Sequence, residues 1–158
     1  VLFFKNMNNK MLITQTGLDQ LKAELDQLIN TRRPGLVERL ALARSMGDLS
    51  ENSDYQSAKE DLTFVDGSIS ELEELIKSAQ IAAPFGNDAV DIGHSVTVKV
   101  NSHDTVFHIV GEWEADPKQS KISHSSPLGQ ALMGKKIGDK VEVTAPAGKL
   151  VYTVVAIS

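Results

Sequence analysis

Apolar or small residues fall at Tyr55, Ala58, Leu62, Val65, Ile69, Leu72, Ile76, Ala79 and Ala83, in alternating steps of three and four. That spacing is an a/d heptad seam, which specifies a coiled-coil partner rather than a broad globular face. Upstream, Leu18, Leu21, Leu25 and Leu28 keep the same alternation, and Leu36, Leu40 and Ala43 resume it. Two such seams joined by a short stretch predict an antiparallel helical hairpin. Ile13-Thr14 opens the first helix: Thr14 is placed to cap free amides, and Ile13 to pack on Leu18 as a staple. Arg32-Arg33-Pro34-Gly35 is the weak point, because an interior proline removes a backbone hydrogen bond and costs about 3 kcal/mol, so a kink or a true break is expected there. Each arm has about 30 residues, which at about 1.5 Å per residue makes a rod roughly 45 Å long.

The pattern changes near Pro84. Pro84-Phe85-Gly86-Asn87-Asp88 is turn-rich, and beyond it come short β-type runs at Ser95 to Val100, Val106 to Val110, Val141 to Val143 and Leu150 to Ile157. A short helix is expected over Leu128 to Met133, entered through Ser126-Pro127 and ended by Gly134. The chain therefore divides into a flexible N-terminal extension (1–12), an antiparallel coiled coil (13–83), a linker (84–88) and a C-terminal domain (89–158). The fold class is α+β in two domains. About 70 residues suffice for one modest, mostly antiparallel β core.

Composition narrows the partners. The net charge of −5 divides as −4 over residues 1–83, from nine Lys/Arg and thirteen Asp/Glu, and −1 over the rest, from seven and eight. Such a chain is poorly suited to gripping a phosphate backbone by itself, because that affinity rests on concentrated Lys and Arg. Nucleic acid, if met, is expected to be held by another protein. The absence of cysteine excludes disulfides and thiolate zinc sites and is compatible with a reducing cytoplasm, the expected location. No stretch approaches the roughly 20 apolar residues of a membrane span. The opening Val1-Leu2-Phe3-Phe4-Lys5-Asn6 is too short for the apolar region of a secretory signal; Met7 or Met11 reads as the more natural beginning.

Between the two helices lies Gly47-Asp48-Leu49-Ser50-Glu51-Asn52, with the hairpin-tip turn region at 47–54. Asp48 and Glu51 are hard oxygen donors suited to Mg²⁺, an ion that keeps several waters and commonly takes one or two protein carboxylates. Three residues apart, they converge if the loop has begun a helical turn. Capping explains part of the same segment: Asp48 or Ser50 as an N-cap, Asn52 as a turn former, Gly47 as the C-cap of the first helix, and Asp54 as a first-turn acid favoured by the helix dipole. Spacing alone does not decide between the two.

The run Gly47-Asp48-Leu49-Ser50-Glu51-Asn52-Ser53-Asp54-Tyr55-Gln56-Ser57-Ala58-Lys59-Glu60 resembles the tip signature of the Gre family of bacterial transcript cleavage factors. Ala43-Arg44, Phe64-Val65-Asp66-Gly67, Val110-Gly111, Glu114-Ala115-Asp116, and Ile122-Ser123 through Ser126-Pro127-Leu128-Gly129-Gln130-Ala131-Leu132 to Gly138-Asp139 extend the likeness, which covers nearly everything from Ile13 to Ile157. Gly129 after Leu128 brings the chain closer to the GreA branch than to the GreB branch. Leu62 stands where the family often has glutamine, and Ser53-Asp54 where it usually has Ala-Glu. Neither departure touches Asp48 or Glu51.

The resemblance implies a C-terminal domain of FKBP-like fold docking at the rim of the RNA polymerase secondary channel, through a segment that includes Ser125, Ser126 and Pro127. It implies a coiled coil entering that channel as a monomer, and a tip reaching the active centre. There Asp48 and Glu51 would help hold the second, loosely bound Mg²⁺, held jointly with polymerase and not stably by the chain alone. With Glu51 nearer the attacking water, polymerase would then cut the 3′ end of backtracked nascent RNA. The protein would be a cofactor of polymerase, not itself an enzyme. Arg44 and Lys59, on opposite helices beside the tip, are expected either to contact RNA or channel wall or to be solvated cations. Arg32, Arg33 and Arg39 read as an RNA-facing patch or a salt-bridged surface. His94, His103, His108 and His124 lack ligand spacing, and Trp113 is expected in the core or in domain packing. A Gre-like paralogue that occupies the same channel and inhibits polymerase is the alternative. A free-standing Mg²⁺ nuclease or prolyl isomerase is disfavoured, by the isolated carboxylate pair and the few aromatics available to line a pocket.

Overall fold

The computed structural model describes residues 10–49 and 51–158, in two compact units. One unit spans residues 18–78 and is the helical hairpin. Its first arm runs through α1 (Gln15–Gln27), a π-helical turn (Leu28–Arg32) and α2 (Arg33–Ser45), and its second arm is α3 (Ser53–Ser78). With 26 residues, α3 is about 39 Å long.

The seams are where the spacing places them. Ala58, Val65 and Leu72 are buried along α3, with Tyr55, Leu62, Ile69 and Ile76 half-buried between them. Leu18 and Ala43 are buried on the facing arm, and Leu21, Leu25, Leu28, Leu36 and Leu40 are half-buried. The first arm does not break at Pro34. Helix continues through the π-helical turn, in which the Arg33 N–H donates to the Leu28 carbonyl, five residues back. The turn has two causes in the sequence. Pro34 has no N–H to give and crowds the carbonyl four residues earlier. In addition, the seam steps eight residues from Leu28 to Leu36, one more than a heptad. A π turn absorbs one extra residue, which leaves Gly35 exposed and turns Leu36 inward.

The other unit comprises residues 1–17 and 79–158, of which 1–9 lie outside the described residues. Here two expectations are corrected. Met11 and Leu12, read as flexible extension, form β1 (Met11–Ile13). Ala79, read as helix together with Ala83, begins β2 (Ala79–Ile81), which pairs in parallel with β1. The Ala82 N–H extends the pair by donating to the Ile13 carbonyl at 2.9 Å. Ala79 and Ala83 fit the heptad spacing, so periodicity could not mark the end of α3; paired backbone overrides it.

A five-stranded sheet in the order β5-β4-β3-β7-β6 forms the core of this unit. It contains β3 (Ser95–Val100), β4 (His103–Val110), β5 (Lys121–Ser123), β6 (Lys140–Ala145) and β7 (Gly148–Ile157). All neighbours are antiparallel except β4 and β5. The three-residue β5 carries too little alternation to be read as a strand. On the inner face, Val96, Val98, Ile109, Val141, Val154 and Ile157 pack with Val90, Ile92 and Leu132 of α4 (Pro127–Leu132). This mostly antiparallel sheet with one short helix is the arrangement expected of the C-terminal half.

Candidate functional site

The turn between α2 and α3 is built by the ends of the two helices. Met46 closes α2 with its N–H on the Ala43 carbonyl at 3.1 Å, and Gly47 follows at φ +138°, a conformation that side chains rarely adopt. Asp48 and Glu51 are both exposed on this turn. Ser50 lies outside the described residues. The N-cap of α3 is neither Asp48 nor Ser50. It is Asn52, whose Oδ1 accepts the Tyr55 N–H at 3.1 Å, while its backbone carbonyl accepts the Gln56 N–H at 3.2 Å. The Asn52 Nδ2 also donates to the Ala43 carbonyl at 2.7 Å, and Gln56 Nε2 reaches the Leu49 carbonyl at 3.4 Å. The carboxylates thus sit on a short turn tied at its base to both helices.

Two of the four hairpin arginines pair with acids of the opposite arm. Arg33 pairs with Asp66 at 2.7 Å. Arg39 hydrogen-bonds Asp54 through two nitrogens, one at 3.0 Å, and meets Asp61 at 3.2 Å. Its guanidinium is raised above its ordinary range, first by the hydrogen bond to Asp54 and then by that carboxylate's charge. Of the two readings of this patch, the salt-bridged one describes Arg33 and Arg39. Arg44 lies over the Tyr55 ring, 5.8 Å from its centroid. Lys59 is exposed on α3 and enters no ion pair among the described residues.

The Ser125-Ser126-Pro127 segment is a tightly bonded turn. Ser126 Oγ accepts the Gly129 N–H at 3.0 Å and donates to the Ser123 carbonyl at 2.7 Å, capping α4. Ser125 Oγ lies 2.8 Å from Ser123 Oγ, and only Pro127 of the three is exposed. Trp113, expected inside, is 57 % exposed. Its neighbour Glu114 takes the inward position to hydrogen-bond Thr14 and Gly111, so the indole faces out. His94 is buried with Nδ1 accepting the Asp91 N–H, and His108 Nδ1 meets Ser95 Oγ at 2.7 Å.

The tip supplies hard oxygen donors of the kind Mg²⁺ takes. No group of three or more His, Cys, Asp or Glu able to hold a metal occurs among the described residues. Two carboxylates are as many protein ligands as Mg²⁺ commonly takes.

A helical hairpin with an exposed acidic turn and a mostly antiparallel sheet domain define a two-domain α+β protein. Family models match both parts: "Transcription elongation factor, N-terminal" over residues 11–81, and "Transcription elongation factor, GreA/GreB, C-term" over residues 86–158. The chain belongs to the GreA/GreB family of transcription elongation factors. It is 43% identical to transcription elongation factor GreA of Clostridium acetobutylicum, over 96% of this chain and 99% of that one. To GreA of Bacillus cereus it is 42% identical, over 92% and 94%. Among solved structures, Gfh1 of Thermus thermophilus is 25% identical with a TM-score of 0.44, covering 94% of this chain and 99% of that one.

Proposed function

We propose that this elongation factor inserts its hairpin into the secondary channel of RNA polymerase, as a monomer, and stimulates cleavage of backtracked nascent RNA. The observation that carries the reading is the placement of Asp48 and Glu51, exposed together on the turn between α2 and α3. Below them Asp54, Asp61 and Asp66 of α3 pair with Arg33 and Arg39 of the other arm. A second Mg²⁺, shared with polymerase, would supply a polarised water and charge neutralisation at the scissile phosphate. This chain's part is to present two carboxylates, Glu51 on the water side, without itself being a nuclease. Arg44, which lies over Tyr55, and exposed Lys59 would contact the extruded RNA or the channel wall. The Ser125-Ser126-Pro127 segment, with Pro127 exposed, would dock against polymerase.

The test is RNA cleavage in stalled, backtracked elongation complexes with and without the protein, alongside the same RNA without polymerase. Acceleration only with polymerase supports the proposal. Cleavage of free RNA would show a nuclease instead, and slowed polymerase without cleavage would show an inhibitory paralogue.

A further inference from the structure

Asn52 spends both ends of its carboxamide on structure, and the two ends serve different elements. Oδ1 caps α3 through the Tyr55 N–H, and Nδ2 crosses to the Ala43 carbonyl in the last turn of α2. That carbonyl also accepts the Met46 N–H, so one acceptor closes α2 and receives the bridge. Asp48 and Glu51 both lie on the turn between these two anchors, with Glu51 adjacent to Asn52 in the chain. We infer that Asn52 is a positioning residue for the tip: its Nδ2 bridge to Ala43 fixes the closure of the turn, and with it the readiness of Asp48 and Glu51 to share a divalent cation. This rests on the cleavage reading of the tip.

The chemistry separates the bridge from the cap. Serine at position 52 keeps an oxygen acceptor for the Tyr55 N–H and is itself a good N-cap. It is too short to donate across to Ala43. Aspartate also keeps the cap, but sets a carboxylate oxygen against the Ala43 carbonyl and adds a negative charge. If charge alone governed the ion, Asn52→Asp would lower the Mg²⁺ requirement; if positioning governs it, both variants raise it. Groups that orient the ligands of an ion typically alter its affinity by about 10–100-fold when removed.

Two measurements decide. Amide hydrogen exchange on the isolated protein should show the Met46 amide exchanging faster in Asn52→Ser, with Tyr55 still protected and the helical circular dichroism unchanged. In backtracked complexes, Asn52→Ser and Asn52→Asp should need about ten-fold more Mg²⁺ for half-maximal cleavage, at an unchanged half-saturating protein concentration. Unaltered Met46 exchange, or an unaltered Mg²⁺ requirement in variants of a cleaving parent, would overturn the inference alone. A parent that gives no cleavage would remove the cleavage reading and this inference with it, while the exchange result would still report whether the bridge holds the turn.

Discussion

Thr14 gives both its backbone N–H, at 2.8 Å, and its hydroxyl to the carboxylate of Glu114, 100 residues further along the chain. The same carboxylate accepts the Gly111 N–H at 3.1 Å, and Thr14 Oγ1 accepts the Gly17 N–H at 3.1 Å. The first turn of α1 is thus capped through a threonine that is itself held by a distant acid. Hydrogen bonds to a charged group are worth about 1.5–3 kcal/mol each at most. Glu114→Ala should cost about 2–4 kcal/mol in urea unfolding, and Glu114→Gln, which keeps one acceptor, distinctly less. A loss below about 0.5 kcal/mol would show that water replaces the carboxylate at this partly buried site.

Two closely packed glycines of the sheet unit carry the opposite expectation from one in the hairpin. A Cβ on Gly111 would lie 2.1 Å from the Leu12 carbonyl oxygen, and one on Gly129 would lie 2.0 Å from that of Ser123. Gly111→Ala and Gly129→Ala should each destabilise by about 1–3 kcal/mol. Gly67, inside α3, has nothing within 4 Å of the same position. Gly67→Ala should therefore stabilise by about 0.5–1 kcal/mol. Thermal melts of the three variants check both signs.

Arg39 joins Asp54 and Asp61 at the surface, where salt screens charge. Arg39→Gln should lower the melting temperature slightly in low salt, and the difference should fade at high salt. Because the guanidinium is raised above its ordinary range, its contribution is fully present below the unfolded value and is lost only as pH rises through the still higher folded one. Across the neutral range, Arg39 should add no pH dependence to stability.

Much of the hairpin was legible because a heptad seam is a repeated signal. Leu62, an exception to the family pattern, could be assigned to the seam from its spacing alone, and it is half-buried there. What was not legible lay where local pattern and tertiary pairing disagree. Ala79 fits the seam yet begins a strand, because Met11–Ile13 supplies it with backbone partners 68 residues away in register. The eight-residue step at Leu28–Leu36 was visible in the sequence, but the proline alone was read, and a kink or break was expected where a widened turn satisfies both. At the tip, Asp48 and Glu51 were singled out by the likeness to the Gre tip signature, since spacing alone does not separate a metal pair from capping. The role of Asn52 was not, since its bridge depends on where Ala43 ends up in space.

The most direct test of the account is single-turnover cleavage in backtracked complexes by the Asp48→Asn/Glu51→Gln double variant, with polymerase binding followed in parallel by competition. These substitutions keep side-chain size and the helices on either side while removing both charges. The account predicts undiminished binding with cleavage stimulation reduced by at least about 100-fold. Full stimulation by the neutral tip would contradict it.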